Sequence, residues 1–119
     1  MMEKIFDPES LIDLLELIGV GALQELVSVF FDEFQDRHGA LKQAYHDGSL
    51  GEMQQQAHAL KSICAGVGLM HLHAVAVQID LAAKAKNLVE ARHHSQQFLA
   101  DTDVGLSALR GFVADHVTG

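Results

Sequence analysis

The stretch SLGEMQQQAHALKSICAGVG, residues 49–68, contains the clearest fold signal in the chain. Ser49 and Glu52 have the spacing of a helix capping box, in which the hydroxyl accepts a hydrogen bond from a free helix amide and the carboxylate accepts one from the cap amide. The apolar residues that follow recur at alternating steps of four and three: Met53, Ala57, Leu60, Cys64 and Val67. The stretch therefore predicts an amphipathic helix with one buried face, weakened near its end by Gly66 and Gly68.

Apolar stripes of the same helical period lie on both sides of this helix. They occupy residues 11–18, 23–45, 72–83 and 98–113. Short breaks separate the stripes, with Gly19 in the first break and a second capping-box spacing, Asn87 with Glu90, in the last one. No alternating strand pattern or linker interrupts the series. The sequence therefore predicts a single domain, residues 1–119, folded as an all-α antiparallel four-helix bundle with a short extra N-terminal helix.

Composition argues against several classes of protein. The chain has 119 residues, 49% of them hydrophobic, with 16 acidic and 8 basic residues and a formal charge of −8. The acidic balance argues against nucleic acid as a partner, and no uninterrupted apolar run approaches the roughly 18 residues that span a bilayer. The start of the chain lacks the pattern of a secretory signal, and the lone Cys64 excludes an intrachain disulfide and is typical of a reducing compartment. We therefore expect a cytoplasmic protein without a membrane or nucleic-acid partner.

The outer face of the helix in residues 53–66 carries almost no charge. Residues 1–50 hold 10 acids and 3 bases, whereas residues 53–66 hold one charged residue, Lys61. His58 lies away from the apolar stripe, and its neighbours one turn away are otherwise uncharged: Gln54, Gln55 and Ser62. Such neighbours leave room for another protein to reach the imidazole, and Lys61 can approach a group that the ring carries. An exposed histidine is also commonly an ordinary surface residue, so the pattern alone leaves that alternative open.

The order of residues around His58 resembles that of the histidine-containing phosphotransfer (HPt) domain. In that family an exposed histidine on a bundle helix is followed by a lysine three residues on, then a small residue, and a glycine ten residues after the histidine. Here these positions hold Lys61, Ser62 and Gly68, and the resemblance covers most of the chain. It implies that His58 is the phosphoacceptor through Nε2 and that Lys61 partly neutralises the phosphate. Ser62 and Ala65 would provide clearance for a partner, with Gly68 in a supporting role.

Two positions depart from the family pattern. Many members have glycine where this chain has Ser62, and because serine is the next smallest adjustment, access to His58 is expected to survive. Many members also have Glu or Gln about two turns along the following helix, directed towards the active helix, and the matching residue here is Asp80. Its shorter side chain is expected to reach the active helix less well, which weakens a supporting role for Asp80.

The resemblance also implies the partners of the domain. The phosphoryl group would move between aspartates of receiver domains, one in a hybrid sensor kinase and one in a response regulator. Mg²⁺ is expected on the receiver domain only, so the chain itself needs no cofactor. The sequence has no glycine-rich phosphate loop, which predicts a phosphocarrier without kinase activity of its own. A monomer suits a carrier that exposes one helix face to two partners in turn.

The expected docking face is the outer side of the histidine-bearing helix, together with apolar residues of the first helix. The candidate contact residues are Gln54, Gln55, Ala59, Leu11 and Leu15. Because apolar positions at helical spacing are mostly buried, core packing is the favoured alternative for the two leucines.

Two other functions compete with phosphotransfer. Eight histidines suggest metal binding, but ligand pairs on one helix face need spacings of three or four, and no two histidines have that spacing. One cysteine alone does not build a thiolate site, so no metal site is expected. The second alternative is a helical adaptor that binds partners through its uncharged face without carrying phosphate. Such an adaptor would not need the spacing of His58, Lys61 and Gly68.

Overall fold

The structure is a computed structural model that describes residues 5–117. These residues form four α-helices: α1 (Pro8–Asp47), α2 (Leu50–Gly66), α3 (Met70–Lys84) and α4 (Leu88–His116). The described residues are 89% helical and contain no strand, which confirms the predicted all-α bundle. The ends of the predicted domain, residues 1–4 and 118–119, lie outside the described residues. The first of these ranges is the start of the chain, where the sequence shows no secretory signal.

The predicted short N-terminal helix is the first part of α1, residues 8–18. Asp7 caps it, since its Oδ1 accepts a hydrogen bond from the amide of Glu9 at 3.1 Å, and Pro8 occupies the first turn. The helix is broken at Gly19, whose φ of 85° and ψ of 169° are non-helical. Because glycine adopts a positive φ at little cost, this residue allows a kink before the long second part of α1.

The two predicted capping boxes differ in the structure. Asn87 caps α4 as predicted, because its side chain accepts from the amide of Glu90 at 3.1 Å. Ser49 stands at the N-cap of α2 but makes no side-chain cap hydrogen bond, so the predicted box is wrong there. Glu52 instead pairs with a residue of the same helix, since its Oε2 accepts a hydrogen bond from Nε2 of Gln56 at 3.3 Å. The start of α2 therefore depends on the turn before it and not on a reciprocal side-chain cap.

The apolar stripes meet in one core between the four helices. The predicted stripe of α2, from Met53 to Val67, is buried, with each member no more than 2% exposed. The other helices contribute aromatic and aliphatic side chains: Leu23, Val27, Phe30, Phe34, Leu72, Ile79, Phe98 and Leu109. Each helix packs on the next one along the chain, and the short connections make successive helices antiparallel. This arrangement leaves α2 between α1 and α3, with its uncharged outer face at the surface.

The apolar character of α1 extends beyond its buried face. By length and composition alone α1 passes as a possible membrane span, since an 18-residue window in it has a mean hydropathy of 1.7. Of that window, 17% is buried. Helices of soluble proteins pass the same test, and the non-helical backbone at Gly19 interrupts α1. The low burial shows that α1 exposes apolar side chains, among them Leu17 at 80% and Val29 at 62%.

Candidate functional site

His58 lies on α2 outside the buried stripe. Its side chain is 67% exposed, and its Nδ1 lies 3.7 Å from Oδ2 of Asp80 on α3. The two nitrogens of an imidazole lie on different edges of the ring, so the approach of Nδ1 to α3 leaves the Nε2 edge on the side away from α3. The histidine singled out by the sequence therefore has one nitrogen facing the protein and the other directed outward.

Asp80 is a buried carboxylate next to this histidine. Its side chain is 2% exposed, and its Oδ2 accepts hydrogen bonds from Nζ of Lys61 at 2.8 Å and from Nζ of Lys84 at 3.2 Å. Within residues 5–117 its other oxygen, Oδ1, has no hydrogen-bond partner. Burial by itself raises the pKa of Asp80, but the hydrogen bonds and charges of the two lysines outweigh burial and hold that pKa below its ordinary value. The carboxylate is therefore ionised at neutral pH.

Asp80 reaches the residues of α2, contrary to the expectation from its short side chain. The long side chain of Lys61 crosses from α2 to the carboxylate, which shortens the distance that Asp80 itself must cover. The two helices also pack against each other, and Ala57 on α2 and Ala76 on α3 are completely buried and small, which favours a close approach. The expectation was wrong because it considered the length of one side chain and not the separation of the helices.

Lys84 belongs to the site, and the sequence analysis did not assign it that role. It follows Asp80 by four residues, so the two side chains share a face of α3, and its side chain is 51% exposed. The signal was present in the sequence, because an acidic residue four positions before a lysine on a helix predicts an ion pair. The site therefore has two cations, one from each helix.

The other predicted contact residues surround His58 with a small, uncharged surface. All of them are exposed or partly exposed: Gln54, Gln55, Ala59, Ser62 and Ala65. In the part of the chain that the structure describes, Asp80 is the acidic residue within 4.0 Å of a ring nitrogen of His58. Among residues 5–117 no second carboxylate therefore lies within that distance to repel an incoming anion.

The two leucines proposed for docking lie mainly inside the protein. Leu11 is completely buried, so its predicted place at the partner surface is wrong, and Leu15 is partly buried and packs against the core. Burying a leucine stabilises a protein by roughly 1.5–3 kcal/mol, which favours turning the apolar face of the short helix towards the bundle.

An apolar groove between α1 and α2 was not predicted. It has a volume of about 220 Å³, and side chains of both helices line it: Leu26, Val29, Phe30, Glu33, Ser62, Ile63, Gly66 and Val67. Ser62 lies one turn after His58 and so joins the groove to the histidine-bearing face. The sequence contained a partial signal, because Val29 is an apolar residue beside the buried stripe of α1 and not on it.

Gly68 contributes by anchoring the N-terminal segment at the end of α2. Its φ is 78°, and a Cβ atom there would collide with the main-chain oxygen of Asp7 and lie 2.9 Å from Oγ of Ser10. The amide of Asp7 donates a hydrogen bond to the carbonyl of Gly68 at 2.7 Å. Glycine is therefore required at this position for backbone shape and for the close approach of two chain segments.

Potential metal ligands do not cluster within residues 5–117, where no group of three His, Cys, Asp or Glu side chains is placed to hold an ion. Cys64 is completely buried, and burial raises the pKa of its thiol to about 12. The thiol is therefore protonated at neutral pH and serves as a core side chain, as its place on the apolar stripe predicted.

Comparison with known proteins gives one match. A family model described as the Hpt domain matches residues 25–112, a range that includes His58, Lys61, Gly68 and Asp80. No curated protein and no solved structure matches the chain. The matched range extends from the long part of α1 into the last part of α4.

Proposed function

The chain belongs to the Hpt domain family, whose members carry out histidine phosphotransfer in two-component phosphorelays, and we propose that His58 is the residue that carries the phosphoryl group here. It accepts the group from an aspartate of one receiver domain and passes it to an aspartate of another. The observation that supports this assignment is the position of the ring, which is 67% exposed and has Nδ1 3.7 Å from a buried carboxylate.

Asp80 determines which ring nitrogen reacts. An ionised carboxylate accepts hydrogen bonds only, so it favours the His58 tautomer with the proton on Nδ1, and Nε2 keeps its lone pair. At 3.7 Å the contact is electrostatic, and a small movement of the exposed ring converts it into a hydrogen bond. Nε2 forms the bond to phosphorus while the bond from phosphorus to the receiver aspartate breaks, which returns the aspartate as a carboxylate. The ring then carries a positive charge, which the Asp80 carboxylate offsets.

Lys61 and Lys84 supply positive charge beside the phosphoryl group, which adds about two negative charges by analogy with other phosphorylated residues. Both ammonium groups are held at Oδ2 of Asp80, and the two side chains are 27% and 51% exposed. They turn towards the phosphate when His58 is modified, and Lys84 turns more readily because it is the more exposed. Ser62 offers a hydroxyl donor one turn from the ring, and the methyl group of Ala65 leaves space for the partner.

The chain acts as a carrier and not as a source of phosphoryl groups. Members of the family are phosphocarriers and not kinases. This chain likewise has no kinase activity of its own in our proposal and holds no cofactor. Mg²⁺ enters the reaction on the partner receiver domain, where it neutralises charge around the phosphoryl group during transfer.

The proposed partners are the receiver domains of a hybrid sensor kinase and of a response regulator. A receiver must bring its aspartate to Nε2 of His58, so its surface covers the outer face of α2: Gln54, Gln55 and Ala59. The apolar groove with Leu26 and Val29 lies beside this face and offers the apolar centre that protein interfaces commonly have. Because both receivers need the same face, they bind in turn, which suits a monomer.

The relay itself is proposed from a closer resemblance. Residues 58–86 contain His-Ala-Leu-Lys-Ser, then Ile79-Asp80, and then Ala83-Lys84-Ala85-Lys86. This run is similar to the vibrio quorum-sensing phosphotransfer protein LuxU. We therefore propose that the chain works in a bacterial, cytoplasmic relay of that type, although a separate relay with other partners would use the same residues.

The experiment that tests the function mixes the full chain with a phosphorylated receiver domain and follows the phosphoryl group. We expect transfer to an acid-labile, alkali-stable site that is absent in His58→Gln. The matched control is His93→Gln, because His93 is an exposed histidine on α4, and this variant should accept the group normally. If the receiver binds but the group stays on it, the chain is an adaptor and the proposal is wrong. If the group moves equally to His58→Gln, another residue is the acceptor and the assignment of His58 is wrong.

A further inference from the structure

His73 on α3 contacts the backbone of the histidine-bearing helix. Its Nδ1 lies 2.7 Å from the main-chain oxygen of Lys61. A carbonyl oxygen only accepts hydrogen bonds, so Nδ1 of His73 is the donor, whether its ring is neutral or charged. Lys61 follows His58 by three residues, which is less than one helical turn. The hydrogen bond therefore holds α2 close to the reacting residue.

His73 and Asp80 act on the same residue of α2. They are seven residues apart, about two helical turns, so they lie on one face of α3. His73 contacts the main chain of Lys61 at 2.7 Å, and Asp80 contacts its side chain at 2.8 Å. Two points of attachment limit both sliding and rotation of α2 against α3. In the register of α2 against α3 that these two contacts hold, Oδ2 of Asp80 lies 3.7 Å from Nδ1 of His58.

We propose that His73 is a positioning residue for phosphotransfer, because its hydrogen bond to the Lys61 carbonyl holds α2 in the register at which Asp80 orients the His58 ring. The inference rests on the proposed function of His58. His73 does not contact the phosphoryl group and acts through the α2 backbone and Asp80. Loss of one such hydrogen bond corresponds to about a three- to tenfold change in rate.

Three variants of the full chain test this role. His73→Leu removes the donor and keeps the bulk, His73→Asn retains an N–H near the position of Nδ1, and His93→Leu repeats the leucine substitution at an exposed histidine. Two quantities are measured: the ¹⁵N shifts of the His58 ring in the unphosphorylated protein, which report its tautomer, and the rate of transfer from a phosphorylated receiver domain. We expect His73→Leu to shift His58 towards a mixture of tautomers and to slow transfer about three- to tenfold. His73→Asn and His93→Leu should have His58 ¹⁵N shifts and transfer rates close to those of the unmodified protein.

A purely structural role for His73 gives a different result. If His73→Leu lowers the melting temperature but leaves the His58 ¹⁵N shifts and the transfer rate unchanged, the proposal is wrong. Should His73→Leu not fold, His73→Gln takes its place, because its amide lies at the position of Nε2 and not of Nδ1; equal behaviour of the Gln and Asn variants then overturns the proposal. If the unmodified chain accepts no phosphoryl group, the proposed function fails, whereas the ¹⁵N shifts still decide whether His73 orients His58.

Discussion

The side-chain nitrogen of Lys61 lies 2.8 Å from Oδ2 of Asp80 in the unphosphorylated protein. The lysine that is expected to neutralise a phosphate is therefore already paired with a carboxylate before any phosphate arrives. This pairing keeps Asp80 ionised despite its burial, and it places the same oxygen opposite Nδ1 of His58. The phosphoryl group must compete with Asp80 for the lysine. Orientation of the His58 ring and neutralisation of the phosphate therefore both depend on one carboxylate oxygen, Oδ2 of Asp80.

The charge of Asp80 is expected to matter for transfer more than its shape. Asp80→Asn keeps the size of the side chain but removes the charge that favours a proton on Nδ1 of His58. We expect transfer from a phosphorylated receiver to slow by about tenfold, the effect of roughly 1.4 kcal/mol on the barrier. Quench-flow or gel-based transfer assays measure the rate. Asp115→Asn, at an exposed position of α4, is the control, and a rate for Asp80→Asn within twofold of that control would contradict the role.

The two lysines are expected to stabilise the phosphorylated state together. Lys61→Gln and Lys84→Gln should each lower the amount of phosphohistidine at equilibrium with a phosphorylated receiver by about two- to tenfold, because exposed or partly exposed charge pairs contribute on the order of 0.5–1.5 kcal/mol. Lys86→Gln is a matched control, since this nearby lysine forms no ion pair within residues 5–117. An equal effect of all three variants would instead indicate general loss of positive charge.

The lowered pKa of Asp80 predicts a specific loss of stability in acid. Its carboxylate contributes stability that is fully present above the ordinary pKa of 3.8 and is lost as the pH falls through the lower pKa of the folded protein. We therefore measure the free energy of unfolding in urea at pH 7, 5, 4 and 3. Between pH 4 and pH 3 it should fall more steeply for the unmodified chain than for Asp80→Asn. If the free energy of unfolding depends on pH in the same way for the two proteins, the pKa of this carboxyl is the same in the folded and unfolded states, which contradicts the prediction.

Gly68 is expected to be one of the few glycines that cannot be replaced. Gly68→Ala introduces a side chain at a φ of 78° and against the main-chain oxygen of Asp7, so it should reduce the free energy of unfolding by about 1–3 kcal/mol. Gly111→Ala is the control, because this helical glycine of α4 has open space around its Cβ position and should become about 0.5–1 kcal/mol more stable. Urea unfolding followed by circular dichroism measures both. A neutral Gly68→Ala would show that the N-terminal segment does not pack there in solution.

The groove between α1 and α2 is expected to contact receiver domains. Val29 lines it and is 62% exposed, so Val29→Asp should leave the melting temperature almost unchanged and weaken receiver binding by about tenfold, or 1.4 kcal/mol. Val104→Asp on α4 is the matched control, since this valine is 56% exposed and does not line the groove. Calorimetric titration with a receiver domain gives both affinities. Equal affinities for the two variants would place the receiver elsewhere on the bundle.

The sequence by itself determined the helices, the buried stripe of α2 and the choice of His58 and Lys61. These features depend on the local period of the helix and on residues within one or two turns, so a single chain segment contains the whole signal. The helix break at Gly19 and the helix cap at Asn87 likewise depend only on residues that are close in sequence. The predicted cap at Ser49 was wrong, and the glutamate of the box instead accepts a hydrogen bond from Gln56, one turn along the helix.

Only the tertiary structure decided how Asp80, Lys84 and His73 relate to the histidine. They lie on a different helix, and their distances to α2 follow from how closely two helices pack, which no spacing within one helix reports. The same reason explains why Leu11 is buried, why Val29 borders a groove, and why Gly68 must be glycine. Each of these outcomes depends on contacts between residues that are distant in sequence, and packing between helices sets those contacts.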